Sequence, residues 1–152
     1  MIREITTADK EIFTKMAKEF YSSDAVLHVI PDEYHENAFN EAIKSHTYLH
    51  ILMLEYDSSP VGYCTLSKQF ATEAGGICIW FEDIYVRPQF RSKGLGRELF
   101  AYVENNFDYA RLRLEVEDDN LRAVELYKRI GFEKLPYAQM IKSAAVDNSD
   151  KI

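Results

Sequence analysis

Cysteine is scarce in this chain, with only Cys64 and Cys78 among 152 residues. Two thiols inside strand-like apolar runs do not make a disulfide framework, and they read as reduced core side chains. No apolar run approaches the roughly 20 residues that span a bilayer, so no membrane partner is expected. The opening Met1-Ile2-Arg3-Glu4-Ile5 turns polar at once and lacks the apolar middle of a signal peptide. The cytoplasm is the expected compartment. Positive charge is also short: 18 Lys and Arg stand against 25 Asp and Glu, a formal net charge of −7. A phosphate backbone repels an acidic surface, so a nucleic-acid partner is not expected, whereas a cationic substrate would be attracted. The four histidines, His28, His35, His46 and His50, show no metal-ligand spacing, and no metal is expected.

What is present suits a folded domain. The 13% aromatic content argues against disorder, because ten Tyr and nine Phe need something to pack against. The length suits one domain over residues 1–142, large enough to bury about two thirds of its unfolded surface. A disordered tail is expected over 143–152.

Residues 2–6 alternate as a short strand, after which Thr6 or Thr7 can cap a helix with Asp9 in its first turn. Ile12, Met16 and Phe20 follow at helical spacing. Ser22-Ser23-Asp24 interrupts that helix, and Pro31-Asp32 opens a second with Tyr34, Ala38, Phe39, Ala42 and Ile43 on its apolar face. Tyr48–Tyr56 and Val61–Phe70 read as a hairpin about Asp57-Ser58-Ser59-Pro60. Ile77–Val86 is the most strand-like segment, continuous in apolar residues except Glu82 and Asp83. A helix is expected from Leu95 to Phe107, then a strand through Leu112, Leu114 and Val116, and then a helix capped by Asp118-Asp119-Asn120 and running through Ile130, stopped by Gly131. Phe132–Ile141 reads as a last strand near an edge, because it contains Pro136. The order β-α-α-β-β-β-α-β-α-β, with hairpins in the middle and then a crossover, predicts an α/β (α+β) fold with a mixed, mostly antiparallel sheet and helices on both faces.

Between the strongest strand and the following helix lies Arg91-Ser92-Lys93-Gly94-Leu95-Gly96-Arg97. A helix N-terminus offers unpaired N–H groups and about half a positive charge, and glycine lets a ligand approach the backbone. With three cationic side chains, this describes a phosphate-binding turn. The spacing of a Walker loop is missing, and Leu99 stands where a dinucleotide fingerprint needs a small residue. A plain helix start carrying two glycines and surface charge is the alternative.

Val86-x-Pro88-x-x-Arg91-x-x-Gly94-x-Gly96 resembles the coenzyme A loop of the GNAT superfamily of N-acetyltransferases. Asn120-x-x-Ala123-x-x-x-Tyr127-x-x-x-Gly131-Phe132 is similar to that family's second signature. The resemblance spans roughly residues 2–142; Ser92 departs from it, where the family often has Gly. Phe81–Val86 is similar to the matching strand of diamine and polyamine acetyltransferases. The resemblance implies acetyl-CoA as co-substrate, no metal, and a small-molecule amine as acceptor. Ile84, Tyr85 and Val86 would line the pantetheine arm, with the Val86 N–H near the thioester carbonyl. The amides from Ser92 through Lys93, Gly94, Leu95 and Gly96 to Arg97 would hold the diphosphate. Asn120 would contact the pantetheine, Tyr127 would lie near the sulfur, and the family analogy extends to a homodimer.

Such a reaction needs a general base, because an alkyl ammonium with pKa about 10 costs roughly 4 kcal/mol to deprotonate at pH 7. Glu82, a carboxylate in an apolar strand beside the expected thioester site, is the first candidate; water-mediated transfer, substrate contact, a solvated carboxylate on a wet face or pairing with an arginine are its other readings. Strand alternation turns Asp83 to the opposite face unless a bulge intervenes. Tyr127 could protonate the leaving thiolate, or pack in the core one helical turn after Ala123. In this architecture the N-terminal helices and their linker cover the acceptor, which makes Tyr21, His28, Trp80 and Glu82 the substrate-binding candidates. A protein or peptide N-acetyltransferase and a non-catalytic coenzyme A sensor are the alternative functions.

Overall fold

The apolar alternation of the central segments does form one sheet. The computed structural model describes residues 1–26 and 28–144. Strands β1 (Ile2–Glu4), β2 (Leu49–Tyr56), β3 (Ser59–Ala71), β4 (Gly76–Val86) and β5 (Arg111–Leu114) lie in the order β1-β2-β3-β4-β5. The first three pairings are antiparallel and β4–β5 is parallel. Antiparallel neighbours need only tight turns: Tyr56 pairs with Ser59, and Asp57 and Ser58 close the hairpin at φ 48° and 61°. The parallel step needs a crossover, and α3 (Leu95–Asn106) supplies it.

Two helices precede β2: α1 (Lys10–Tyr21) and α2 (Asp32–Lys44). Their apolar stripes bury Phe13, Met16, Ala17, Phe39 and Ala42 against Ile51, Met53, Tyr63 and Tyr85 of the sheet. Burying each large side chain is worth about 1.5–3 kcal/mol, far more than helix propensity supplies. The alternate residues Leu52, Leu54, Cys64 and Leu66 turn to the other face, where Phe81 packs on Phe100 of α3 at 4.6 Å between ring centroids. The mixed, mostly antiparallel sheet with helices on both faces is therefore observed. Cys64 and Cys78 are free and buried.

The chain forms two compact units, Met1–Val116 and one that begins at Glu117. The second contains α4 (Leu121–Arg129), whose N-cap Asn120 accepts from the Ala123 N–H through its side chain at 3.3 Å. The strand expected over 132–141 does not form, and residues 132–144 take no regular element. Pro136 removes an amide donor from the middle of that segment, and Leu135, Tyr137, Met140 and Ile141 stand exposed instead of alternating into a core. Of the tail expected at 143–152, residues 145–152 lie outside the described residues. Among the described residues no helix is long and apolar enough to cross a membrane.

A partly buried ion pair fixes the start of the chain. Arg3 donates to both Asp9 oxygens at 2.8 Å and, through Nε, to Glu55 at 2.7 Å. Asp9 also accepts from the Thr6 N–H and hydroxyl at 2.8 Å, which caps the turn leading into α1. The bidentate Arg3 contact holds the Asp9 carboxyl well below the usual range, against burial, which acts the other way. Because the folded value is depressed, its stabilisation is full above the unfolded value of about 3.9 and is lost as pH falls below it. Asp9→Asn should cost about 3 kcal/mol at neutral pH, the low end of the roughly 3–5 kcal/mol for breaking a buried pair, because Arg3 is partly exposed. Urea unfolding of both proteins should show this gap narrowing from pH 7 to pH 3; a pH-independent gap would contradict the assignment.

Candidate functional site

The pairing of β3 with β4 contains one irregularity. Gly62 to Thr65 pair with Val86 to Asp83, but Leu66 pairs with Phe81, so Glu82 is an extra residue on β4. Such a bulge re-aims side chains beside it. Ser67 donates a hydrogen bond to Glu82, and Thr65 donates to Asp83 Oδ2 at 2.9 Å. Thr65 and Ser67 are alternate residues of β3 and share a face. Glu82 and Asp83 therefore both project to the face covered by α1 and α2: the bulge is the exception under which alternation does not turn Asp83 to the opposite face. The burial expected of Glu82 is corrected: Glu82 is exposed, and the desolvated carboxylate is Asp83.

Asp83 is held from two sides. Tyr21, the last residue of α1, donates its hydroxyl to Oδ1 at 2.8 Å, and the Asp83 N–H bonds to Thr65 Oγ1 at 3.0 Å. Burial pushes the Asp83 carboxyl up from its ordinary value, the Tyr21 and Thr65 bonds pull it down, and the Glu82 charge raises it further. Burial, then the Asp83 charge, raises the Tyr21 phenol. Around this pair the rings crowd: Phe20 lies 5.2 Å from Tyr21 and 5.7 Å from Tyr85, and His35 lies 5.3 Å from Tyr21. His35 is 4% exposed, and burial lowers its pKa. His28 stands exposed in the α1–α2 linker, so the histidine that packs on Tyr21 is His35. Trp80, paired with Ser67 in register, is covered by the Arg113 guanidinium at 4.2 Å. Among the substrate-binding candidates, the fold thus groups Tyr21, Trp80 and Glu82.

Beyond the bulge, β4 has no strand partner on its β5 side within the first unit. Its parallel pairing with β5 ends at Phe81↔Leu114. The Arg87 N–H bonds to Val61 O on β3 at 2.9 Å, so antiparallel alternation points the Ile84 and Val86 amides away from β3. Consistent with this, Val86 O accepts from Arg91 Nε at 2.9 Å on that side. Gly62 lies close behind: a Cβ there would stand 2.3 Å from Tyr85 O and 3.2 Å from Val86 Cα. The Tyr85 side chain turns to the other helices, donating to Glu19 at 2.9 Å, while Arg87 grips Glu19 with two bonds of 2.9 Å. That clamp fastens α1 over the strand.

The turn after β4 fits an anion. Gly94 is the N-cap of α3 at φ 85°, a left-handed conformation, and no atom lies within 4 Å of where its Cβ would be. The first bond of this helix turn runs from the Glu98 N–H to Gly94 O at 3.0 Å, so the amides of Leu95, Gly96 and Arg97 have no intrahelical acceptor. Ser92 also takes a positive φ, 64°. Arg91, Lys93 and Arg97 are exposed around this turn, with Lys93 Nζ 4.8 Å from the centre of the Tyr56 ring. A diphosphate suits this combination of amides, helix dipole and cations. Asn120 and Tyr127 belong to the second unit, where two helical turns separate them and Tyr127 packs on Phe132 at 6.1 Å.

Asp83, Thr65 and His35 are the site residues that sequence reasoning missed. Two adjacent carboxylates in an otherwise apolar strand were the available signal, since strict alternation would bury one of them on either face. His35 carried none.

The family model described as "Acetyltransferase (GNAT) family" matches residues 10–132. The chain is 29% identical over 153 residues to the thialysine N-epsilon-acetyltransferase of Bos taurus, covering 91% of this chain and 87% of that one. It is 30% identical over 115 residues to the N-alpha-acetyltransferase RimI of Mycobacterium tuberculosis, covering 74% and 69%. Among solved structures, AAC(6')-Iy in complex with a bisubstrate analogue superposes with a TM-score of 0.78 at 18% identity, over 95% of this chain and 98% of that one, a likeness of fold.

The hydrogen bond from Tyr21 favours the ionised form of Asp83. Tyr21→Phe should therefore raise the Asp83 pKa above its wild-type value, readable as an upward shift of the carboxyl carbon titration by NMR. An unmoved or lowered titration would show that the phenol does not support the carboxylate.

Proposed function

The chain belongs to the GNAT acetyltransferase family, and from that premise we propose that it moves an acetyl group from acetyl-CoA directly to a primary amine of a small cationic molecule, polyamine-like or another amino compound. Acetyl-CoA supplies the activated acyl group as a thioester. The observation that carries the choice of acceptor is the shared face of Glu82 and Asp83, walled by Tyr21, Phe20 and His35 next to the stretch of β4 beyond its pairing with β5. A carboxylate ringed by aromatic faces attracts an ammonium by charge and by cation–π contact.

In this reading the amides from Ser92 to Arg97 bind the diphosphate, with Arg91, Lys93 and Arg97 adding charge. The backbone of Ile84, Tyr85 and Val86 lines the pantetheine arm. The Val86 N–H donates to the thioester carbonyl oxygen, where a preset dipole counts most. Glu82 and Asp83 divide the work on the amine. Both Asp83 oxygens already accept bonds, from Tyr21 and Thr65, so Asp83 holds the ammonium by charge. Ser67 engages only Oε1 of the exposed Glu82, and Glu82 takes the ammonium proton directly or through water. Asn120 contacts the pantetheine and Tyr127 protonates the departing thiolate; both assignments rest on the sequence resemblance.

The similarity to RimI favours a second reading, a peptide or protein amine as acceptor. Thiol release from acetyl-CoA across diamines, polyamines, amino acids and short peptides separates the two. Turnover confined to small amines supports the proposal, turnover confined to peptides replaces it, and tight cofactor binding without any thiol release identifies a sensor.

Glu82→Gln should lower kcat/KM about 10²-fold or more, the usual worth of a general base, and remove the acid limb of its pH profile. A wild-type profile would assign the base elsewhere. Tyr127→Phe should lower kcat while leaving acetyl-CoA affinity in calorimetry unchanged; an unchanged kcat would remove Tyr127 from the reaction.

A further inference from the structure

On the sheet face opposite Asp83, the strands and the end of α3 border an open pocket of about 520 Å3 whose walls include Glu4, His50, Lys68, Tyr102 and Phe107. The β1–β2 register pairs Glu4 with Leu52, which puts His50, two residues earlier on the same face, beside it. Glu4 Oε1 and His50 Nδ1 are 3.2 Å apart. Their other polar atoms, Glu4 Oε2 and His50 Nε2, are buried with no hydrogen-bond partner among the described residues. His50 itself is 6% exposed. Each orphaned polar atom costs about 1–3 kcal/mol, and two on adjacent side chains call for a shared partner.

A third donor stands next to them. The exposed His46, in the linker from α2 to β2, brings its ring to 4.4 Å from that of His50. One donor atom from each of Glu4, His46 and His50 lies within 4.8 Å of the others. Lys68 donates to the His46 carbonyl at 3.3 Å and lies over the Phe107 ring, which tethers the linker.

We propose that Glu4, His46 and His50 bind a divalent transition-metal ion of the zinc class. Two imidazoles and a carboxylate are a zinc-type donor set. Tetrahedral bonds of about 2.0–2.2 Å place donor atoms roughly 3.3–3.5 Å apart, so donors that already lie within 4.8 Å of one another would have to draw together by at most about 1.5 Å. The ion would tie β1 to the α2–β2 linker, away from the β4 edge, and is independent of the acetyl-transfer reading.

The test is titration of the full, chelator-treated chain with zinc chloride by calorimetry, and with cobalt chloride by visible absorption. One equivalent should bind, the cobalt form should show the intense bands of a tetrahedral site, and zinc should raise the thermal midpoint. His50→Ala removes a buried core residue, so the exposed His46→Ala and the near-isosteric Glu4→Gln carry the comparison. Each should weaken zinc binding at least tenfold and abolish the thermal shift. Absence of stoichiometric binding, or binding that neither variant weakens, would overturn the site.

Discussion

One extra residue in β4 sets the geometry on which the rest of the site depends. Because Glu82 has no partner on β3, the alternation of the strand slips by one at that point. Before the slip, Phe81 faces α3 and the strand is still paired with β5. After it, Asp83 and Tyr85 face α1 and α2, while the Ile84 and Val86 amides point away from β3, beyond the last residue of β4 that pairs with β5. A perfectly regular β4 would split the two carboxylates between the two faces of the sheet. The bulge instead sets an accessible carboxylate beside a desolvated one.

That arrangement holds only if α1 stays fixed over the strand, and the contacts that fix it are polar. Glu19 receives two bonds from Arg87 and one from Tyr85, and Arg87 holds the Glu19 carboxyl below its ordinary range. At the other end of α1, Arg3 spans Asp9 and Glu55. Between these anchors the apolar stripe of α1 packs on Tyr63 and Tyr85. Tyr21 then arrives at Asp83 as the last helical residue, its position set by both ends. The acidic surplus of the chain is thus partly spent inside the fold, on arginine pairs.

The two faces of the sheet serve different ends. One gathers aromatic rings and carboxylates under α1 and α2, which suits an amine. The other packs Leu52, Leu54, Leu66 and the Phe81–Phe100 pair under α3, a helix whose first amides have no intrahelical acceptor. Membership of the GNAT family accounts for the second feature and for the acyl transfer, whereas the acceptor must be read from the first.

Local chemistry was enough to determine much of this from the residues alone. Glycine at 94 and 96, cations at 91, 93 and 97, and a helix starting at Leu95 are properties of one short segment, so the form of this turn was legible. So were the hairpin at Asp57-Ser58, the Asn120 cap and the element order through α4, each set by turn residues or periodicity nearby in the chain. The segment after Gly131 was not, because an apolar pattern interrupted by Pro136 does not say whether any strand edge will accept it. Nor was the face of Asp83, the exposure of Glu82, or the meeting of His35 with Tyr21. Those depend on pairing between β3 and β4 and on helix packing, contacts between residues far apart in sequence. A shift of one residue in register reverses every side chain beyond it, and only the folded sheet decides where that shift falls.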